Sequence, residues 1–232
     1  MTTRIAKFIA DTGFASRRAA EDLIASGRVT VNGIKIDTPV TFVSADDEIA
    51  VDGAVLHARE DTQLYAFHKP INTMTTTHDP AHRKTIYDVL DAQYKNLKYI
   101  GRLDYKTSGL LLMTNDGALA RKLTLPSSNI ARTYIAHVSR MDEKGLNRAQ
   151  GGVTVDGIKY RPMKIEVMEK NILRVTVTEG KKNEIRIVLR ACGCPVIGLH
   201  RVSFGPVRLG NLSVGKIRKI EQKTIDALLK TL

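Results

Sequence analysis

The stretch Val29-Thr30-Val31-Asn32-Gly33-Ile34-Lys35-Ile36 fixes the start of the chain more tightly than any other. Two alternating apolar segments meet at Asn32-Gly33, and both turn positions of such a hairpin need φ > 0, which Asn and Gly tolerate. Ahead of it, Ile5, Phe8 and Ile9 repeat at helical spacing, Thr12-Gly13 breaks that helix, and Ser16 is placed to cap a second one. Ala20, Leu23 and Ile24 are the expected buried face of the second helix, with Gly27 as its stop. A further strand pair is expected to flank Asp52-Gly53. Two helices on a small twisted sheet make a module of under ~60 residues.

Charge separates this module from the rest. The chain of 232 residues carries 36 Lys+Arg against 24 Asp+Glu, net +12, the balance of a protein that meets a polyanion. Residues 1–58 hold six basic and eight acidic groups, net −2, so the remainder carries +14. Residues 59–64 are polar apart from Leu64 and read as a linker, leaving residues 65–232 as a second domain.

At 43% hydrophobic residues the chain has material for a core, which excludes disorder throughout. No run reaches the ~18 apolar residues of a membrane span, and the opening lacks the apolar core of a secretory signal, so a cytoplasmic protein without membrane contact is expected. Cys192 and Cys194 are read as small buried apolar side chains.

Within 65–232, strand-like runs fall at 64–67, 99–103, 110–113, 133–138, 164–168, 173–177 and 196–199. A helix is expected over 184–192 after an Asn183 cap, and another after a Thr224 cap, burying Ile225, Leu228, Leu229 and Leu232. Helical patterns are too few for regular strand-helix-strand alternation. The expected fold class is α+β, a small module of helices on a sheet followed by a larger, mixed and mostly antiparallel sheet domain. No phosphate loop or dinucleotide fingerprint occurs.

One segment concentrates chemistry: Gly101-Arg102-Leu103-Asp104-Tyr105-Lys106-Thr107-Ser108-Gly109-Leu110-Leu111-Leu112-Met113. Asp104 is expected at a strand end, in an apolar setting beside Arg102, whose guanidinium favours a charged carboxylate. Such a group serves as nucleophile or base. The same spacing also suits a turn-capping aspartate with Arg102 as its salt-bridge partner.

The segment resembles the signature of the pseudouridine synthases, close to the RsuA-type branch that modifies ribosomal RNA. The first module is similar to the alpha-L RNA-binding module of a small-subunit ribosomal protein and of several RNA-modifying enzymes, through Arg4-Ile5-Ala6-Lys7-Phe8-Ile9-Ala10, Gly13-Phe14-Ala15-Ser16-Arg17-Arg18 and Arg28-Val29-Thr30-Val31-Asn32-Gly33. Further stretches match in order: His68-Lys69-Pro70, Thr85-Ile86-Tyr87-Asp88-Val89-Leu90, Arg132-Thr133-Tyr134, Gly180-Lys181-Lys182-Asn183-Glu184-Ile185-Arg186 and Leu199-His200-Arg201-Val202. Two departures stand out. Ile71-Asn72 occupies the place of a usual Pro-Gly pair, and Glu184 that of a common Gln, which bears on target choice.

The resemblance implies that Asp104 is the catalytic carboxylate, that Arg186 pairs with it, that Tyr134 stacks on the target base, and that Arg102 helps hold the nucleotide extruded. It implies isomerisation of a uridine in ribosomal RNA, with no cofactor and no metal. Arg4, Lys7, Arg17, Arg18, Lys181, Lys182 and Arg201 are the candidate RNA contacts. Arg17 and Arg18 can equally solvate a helix start, and Tyr134 can equally face a core. The implied partner is ribosomal RNA or an assembly intermediate of a subunit, met by a monomer. Two other readings remain at this stage: a non-catalytic RNA-binding assembly factor on the same fold, and an RNA glycosylase releasing free base.

Overall fold

The computed structural model describes residues 2–44, 46–57 and 62–232. Two compact units emerge, Met1–Thr62 with Asn115–Gly117, and Gln63–Thr114 with Ala118–Leu232.

The small unit holds β1 (Thr3–Arg4), α1 (Ile5–Thr12), α2 (Arg17–Ala25), β2 (Val29–Val31), β3 (Ile34–Ile36), β4 (Phe42–Val43), β5 (Ile49–Val51) and β6 (Ala54–Val55). α1 stops at Gly13 in the left-handed region, and the Ser16 hydroxyl accepts from the Ala19 N–H at 3.1 Å to start α2. Asn32 and Gly33, at φ 51° and 78°, turn β2 into β3 as their sequence requires, and Asp52-Gly53 does the same between β5 and β6. The sheet order is β3-β2-β5-β6. Ile5, Ile9, Ala20, Ile24, Val29, Ile49 and Val51 form the core. Phe8 and Leu23, expected inside, are only half-buried.

The large unit holds β7 (Leu64–Lys69), β8 (Lys98–Ile100), β9 (Thr107–Thr114), α3 (Gly117–Thr124), β10 (Arg132–Val138), α4 (Glu143–Gly151), β11 (Val153–Val155), β12 (Ile158–Tyr160), β13 (Lys164–Glu169), β14 (Ile172–Val177), α5 (Glu184–Ala191), β15 (Val196–Phe204), β16 (Val207–Arg208), β17 (Ile217–Lys219) and α6 (Gln222–Leu229). Its main sheet runs β13-β14-β10-β15-β9-β7-β17, with β8 on β9 and β16 on β15. Within this sheet the β9–β15 pair is parallel and the other pairs are antiparallel. Two apolar layers cover its faces, one including Ile185, Val188 and Leu189 of α5, the other Leu119 and Leu123 of α3 with Ile225 and Leu228 of α6.

Several local expectations shift. Residues 59–61 of the expected linker lie outside the described residues, while Leu64 is fully buried and opens β7. The strand expected over 99–103 ends at Ile100. Asn183 precedes α5 in the left-handed region without a side-chain cap bond, and Thr224 lies inside α6, which begins after Glu221. α3 and α4, each burying three residues, were not expected from the sequence. Cys192 and Cys194 are buried free thiols.

Candidate active site

Asp104 sits in the connection between β8 and β9, and that connection is pinned at five successive carbonyls. Thr75 Oγ1 donates to Leu103 O at 2.8 Å. The Lys69 ammonium donates to Asp104 O at 3.3 Å and to Thr107 O at 2.8 Å. Asn72 N–H donates to Tyr105 O at 2.8 Å, and Arg186 Nη2 to Lys106 O at 2.9 Å. A loop held this way places its carboxylate from rigid elements.

Lys69 is 0% exposed, and burial pushes its amine down to about 8, against the opposing pull of the Asp104 charge. Asn72 adopts φ 58°, a conformation for which Asn is the next choice after Gly.

Three strands converge on the other side. Arg201 of β15 is paired in register with Gly109 of β9 and with Tyr134 of β10. The β10–β15 register slips between Thr133 and Tyr134, a bulge that re-aims side chains beside a site. Gly109 lies at φ 105°, and a Cβ there would come within 2.6 Å of the Arg201 amide nitrogen. Only glycine lets β9 and β15 approach so closely.

The result is a cavity of about 280 Å³ lined by Arg102, Asp104, Thr107, Arg132, Tyr134, Glu179, Lys181, Lys182, Glu184 and Arg201, among others. Its size lies just below the range of small-ligand sites, roughly 300–1,000 Å³. Among the described residues, the buried side-chain polar atoms without a hydrogen-bond partner are Thr107 Oγ1, Glu184 Oε1, Arg186 Nε and Arg201 Nη2. Three of these residues line this cavity, and Arg186 binds the loop beside it. Orphaned polar atoms are rare in folded proteins, and their concentration here marks groups that a ligand can satisfy.

Asp104 itself forms no ion pair or side-chain hydrogen bond with the described residues. Arg102 is exposed and equally unpaired, so the expected Arg102–Asp104 salt bridge is absent, as is a turn-capping role. The surroundings of Asp104 are cationic rather than apolar. Arg186 does not form the expected ion pair with Asp104; its guanidinium reaches Val196 O and Lys106 O, and burial pushes its pKa down while the Asp104 charge opposes this.

Tyr134 is 9% exposed and lines the cavity, so it serves the core and the site together. Arg201, expected as an RNA contact, is 1% exposed with Nε on Leu110 O at 2.6 Å, so it is reached only from inside the cavity it lines. Arg132 holds Thr178 O and Glu179 O, and lies 5.1 Å over the Phe204 ring. Lys181 is engaged with Glu179 at 2.7 Å, whereas Lys182 is exposed and unpaired.

In the small unit Arg17 and Arg18 are exposed without partners, Arg4 lies 6.0 Å over Phe42, and Lys7 pairs with Asp11 at 2.7 Å. No helix among the described residues is long and apolar enough to cross a membrane. Nor is any group of three or more His, Cys, Asp or Glu among them arranged to hold a metal ion.

A family model described as RNA pseudouridylate synthase matches residues 63–191, and an S4 domain matches residues 3–49. The chain belongs to the RNA pseudouridine synthase family. An uncharacterized RNA pseudouridine synthase of Rickettsia conorii is 36% identical over 96% of this chain and 98% of its own. Ribosomal large subunit pseudouridine synthase B of Bacillus subtilis is 34% identical over 97% and 95%. A crystal structure of a pseudouridylate synthase superposes with a TM-score of 0.70 at 29% identity, covering 97% of this chain and 99% of that one. The enzyme is thus an isomerase with an RNA-binding module at its N-terminus. The fold class expected from sequence agrees with this structure.

Lys69, Thr75 and Arg132 were not among the residues singled out from sequence, and Asn72 stood out only as a departure from the family pattern. Lys69 and Arg132 stood in quoted motifs, but their partners are up to 47 residues away and carry no local signal.

Proposed function

We propose that this pseudouridine synthase isomerises a uridine of ribosomal RNA, with Asp104 as its catalytic carboxylate. The name of the Bacillus subtilis relative, matched nearly end to end, favours large-subunit RNA. The base leaves through cleavage of its carbon–nitrogen glycosidic bond, turns, and rejoins the sugar through carbon 5, whose hydrogen departs as a proton. A charged carboxylate serves either as nucleophile at the anomeric carbon or as base at its neighbour.

One observation carries this reading: the Asp104 carboxylate is unpaired, opens on a cavity lined by unsatisfied polar groups, and rides on a loop fixed at residues 103–107. A stacked nucleotide cannot bring its sugar to a recessed carboxylate, so the target is flipped out. The Tyr134 ring supplies a face for the base, a contact worth roughly 1–3 kcal/mol. Arg201 Nη2 and Thr107 Oγ1 are free to meet the extruded nucleotide. Arg186 acts as a positioning residue through Lys106 O. Arg102 and Lys182 stand exposed at the cavity and meet phosphate or the space left in the RNA, with Lys181 beside them. Arg4, Lys7, Arg17 and Arg18 make further RNA contacts from the small unit.

Tritium release from ribosomal RNA labelled at carbon 5 of uridine, taken from a strain lacking this protein, tests the reading directly. Release by the wild type and none by Asp104→Asn is the expected result. Equal release by both removes Asp104 from the chemistry, and no release by either leaves an RNA-binding assembly factor.

A further inference from the structure

Beside the cavity that holds Asp104 lies a second, open hollow of about 390 Å³, lined by Tyr99, Ala120, Arg121, Thr124, Leu125 and Pro126. Its size falls within the range of small-ligand sites, roughly 300–1,000 Å³. Leu125 is 43% exposed and belongs to neither core layer of the large unit, and Pro126 is exposed beside it. A contiguous apolar hollow that adjoins a binding site offers surface for a ligand to cover.

Its walls are fixed in place. The Leu125 N–H donates to Arg121 O at 3.1 Å, and the Leu125 carbonyl accepts from the Ser128 N–H at 3.0 Å and from the Ser128 hydroxyl at 2.7 Å. Pro126 follows with its φ set by the ring. Tyr99 comes from β8 and packs against the core layer that also holds α5.

Thr124 joins the hollow to the cavity. It lines both, and its hydroxyl accepts from the Gly101 N–H at 3.1 Å while donating to Ala120 O at 2.7 Å. That contact ties the end of α3 to the chain that runs through Arg102 to Asp104. Arg121 and Lys122, in the last turn of α3, and Arg102 at the cavity are exposed and form no ion pair with the described residues. The residues lining the hollow include no acidic one. Apolar walls with cations around them and no carboxylate complement a base and its phosphate.

We propose that this hollow receives the base of the nucleotide next to the flipped uridine. Turning one nucleotide out of a stack leaves its neighbour without a stacking partner on that side, a cost that a hollow for the neighbouring base offsets. The base covers Leu125, Pro126 and Tyr99, while Arg121 supplies a cation for its phosphate. Walls with so few hydrogen-bonding groups favour the presence of a ring over its absence and discriminate weakly among bases. The hollow thus contributes to target choice through RNA shape, since the strand must be free to splay two adjacent nucleotides. This assignment rests on the isomerase reading above.

The test uses RNA fragments that contain the target uridine, located in ribosomal RNA by tritium release and sequencing. Each fragment is labelled at carbon 5 and is either intact or lacks the base of one flanking nucleotide. With the wild type, removing the base on one side should lower kcat/KM about tenfold, and removing it on the other side should have little effect. Leu125→Ser should lower kcat/KM by a similar factor on the intact fragment, but by no more than about twofold on the fragment already lacking the sensitive base, because both changes remove one contact. Pro126→Ser repeats the comparison at the adjoining wall. Both side chains are exposed, and thermal melts confirm that each variant is folded.

Equal losses from Leu125→Ser on the intact and base-free fragments overturn the proposal, as does a wild type that tolerates removal of either neighbouring base. A wild type that releases no tritium from any RNA removes the isomerase reading and this proposal together. An active wild type whose rate is unchanged by Leu125→Ser and by Pro126→Ser removes this proposal alone.

Discussion

Arg17 and Arg18 of the small unit stand exposed and unpaired at the start of α2, whereas Lys69 and Arg201 of the large unit are 0% and 1% exposed and committed to named carbonyls. The first pair follows directly from a local device, the Ser16 cap. The second pair is assembled across distance, since Lys69 meets Thr107 over 38 residues and Arg201 meets Leu110 over 91. Solvated cations act as a field that salt weakens, and any one of them is replaceable. A buried cation bears a desolvation cost that only its specific partners offset, so the surrounding backbone must be right.

The largest effect should come from the large unit. Asp104→Asn is expected to abolish turnover while RNA binding stays close to wild type. A loss of binding as large as the loss of turnover would break the distinction between the two regions, because Asp104 would then be holding RNA rather than reacting.

Next is Gly109→Ala. The added Cβ meets the Arg201 backbone and the residue must keep φ 105°, so a loss of roughly 3 kcal/mol in urea unfolding is expected. A change below about 0.5 kcal/mol would mean that β9 and β15 separate cheaply.

Lys69 gives a smaller, pH-dependent effect. Its folded pKa of about 8 lies below the unfolded value, so the cost of burying its charge is fully present below about pH 8 and fades as pH rises towards ~10.4. Comparing wild type with Lys69→Met by urea unfolding should show that the wild type gains stability over this window relative to the variant. Parallel pH dependences would show that the amine stays charged at no cost.

The smallest effect belongs to the small unit. Arg17→Ala with Arg18→Ala should change stability by less than about 0.5 kcal/mol, and should reduce the salt dependence of RNA binding by up to about 2 in the log–log slope. An unchanged slope would sharpen the comparison differently, leaving these arginines as helix solvation and the large unit as the source of phosphate contacts.

The small unit was largely legible because its rules are local. The Ser16 cap, the Gly13 stop and the Asn32-Gly33 turn each need only a few neighbouring residues, and all three stand where the sequence places them. In the large unit seven strands were found from their apolar runs, with ends shifted by up to five residues, as where β15 extends to Phe204, while β11, β12, β16 and β17, each of two or three residues, were missed. Asp104 was singled out by its motif, but its setting was misjudged. Arg102, two residues away in sequence, points to solvent, while Lys69, 35 residues away, supports its carbonyl.

The sequence alone determined the residue types, the turns and the periodicities, and through its motifs the family. It could not determine burial, because burial depends on which strands become neighbours. Arg201 illustrates the difference. In the sequence it is one more cation in a basic stretch, and it becomes a buried, half-satisfied group only because β15 lies between β9 and β10. Glu184 likewise reads as an ordinary charged helix start until Glu179 and the cavity wall surround it. The energy of an ionisable group is set by its surroundings in space, and those surroundings come from pairings that a local pattern does not encode.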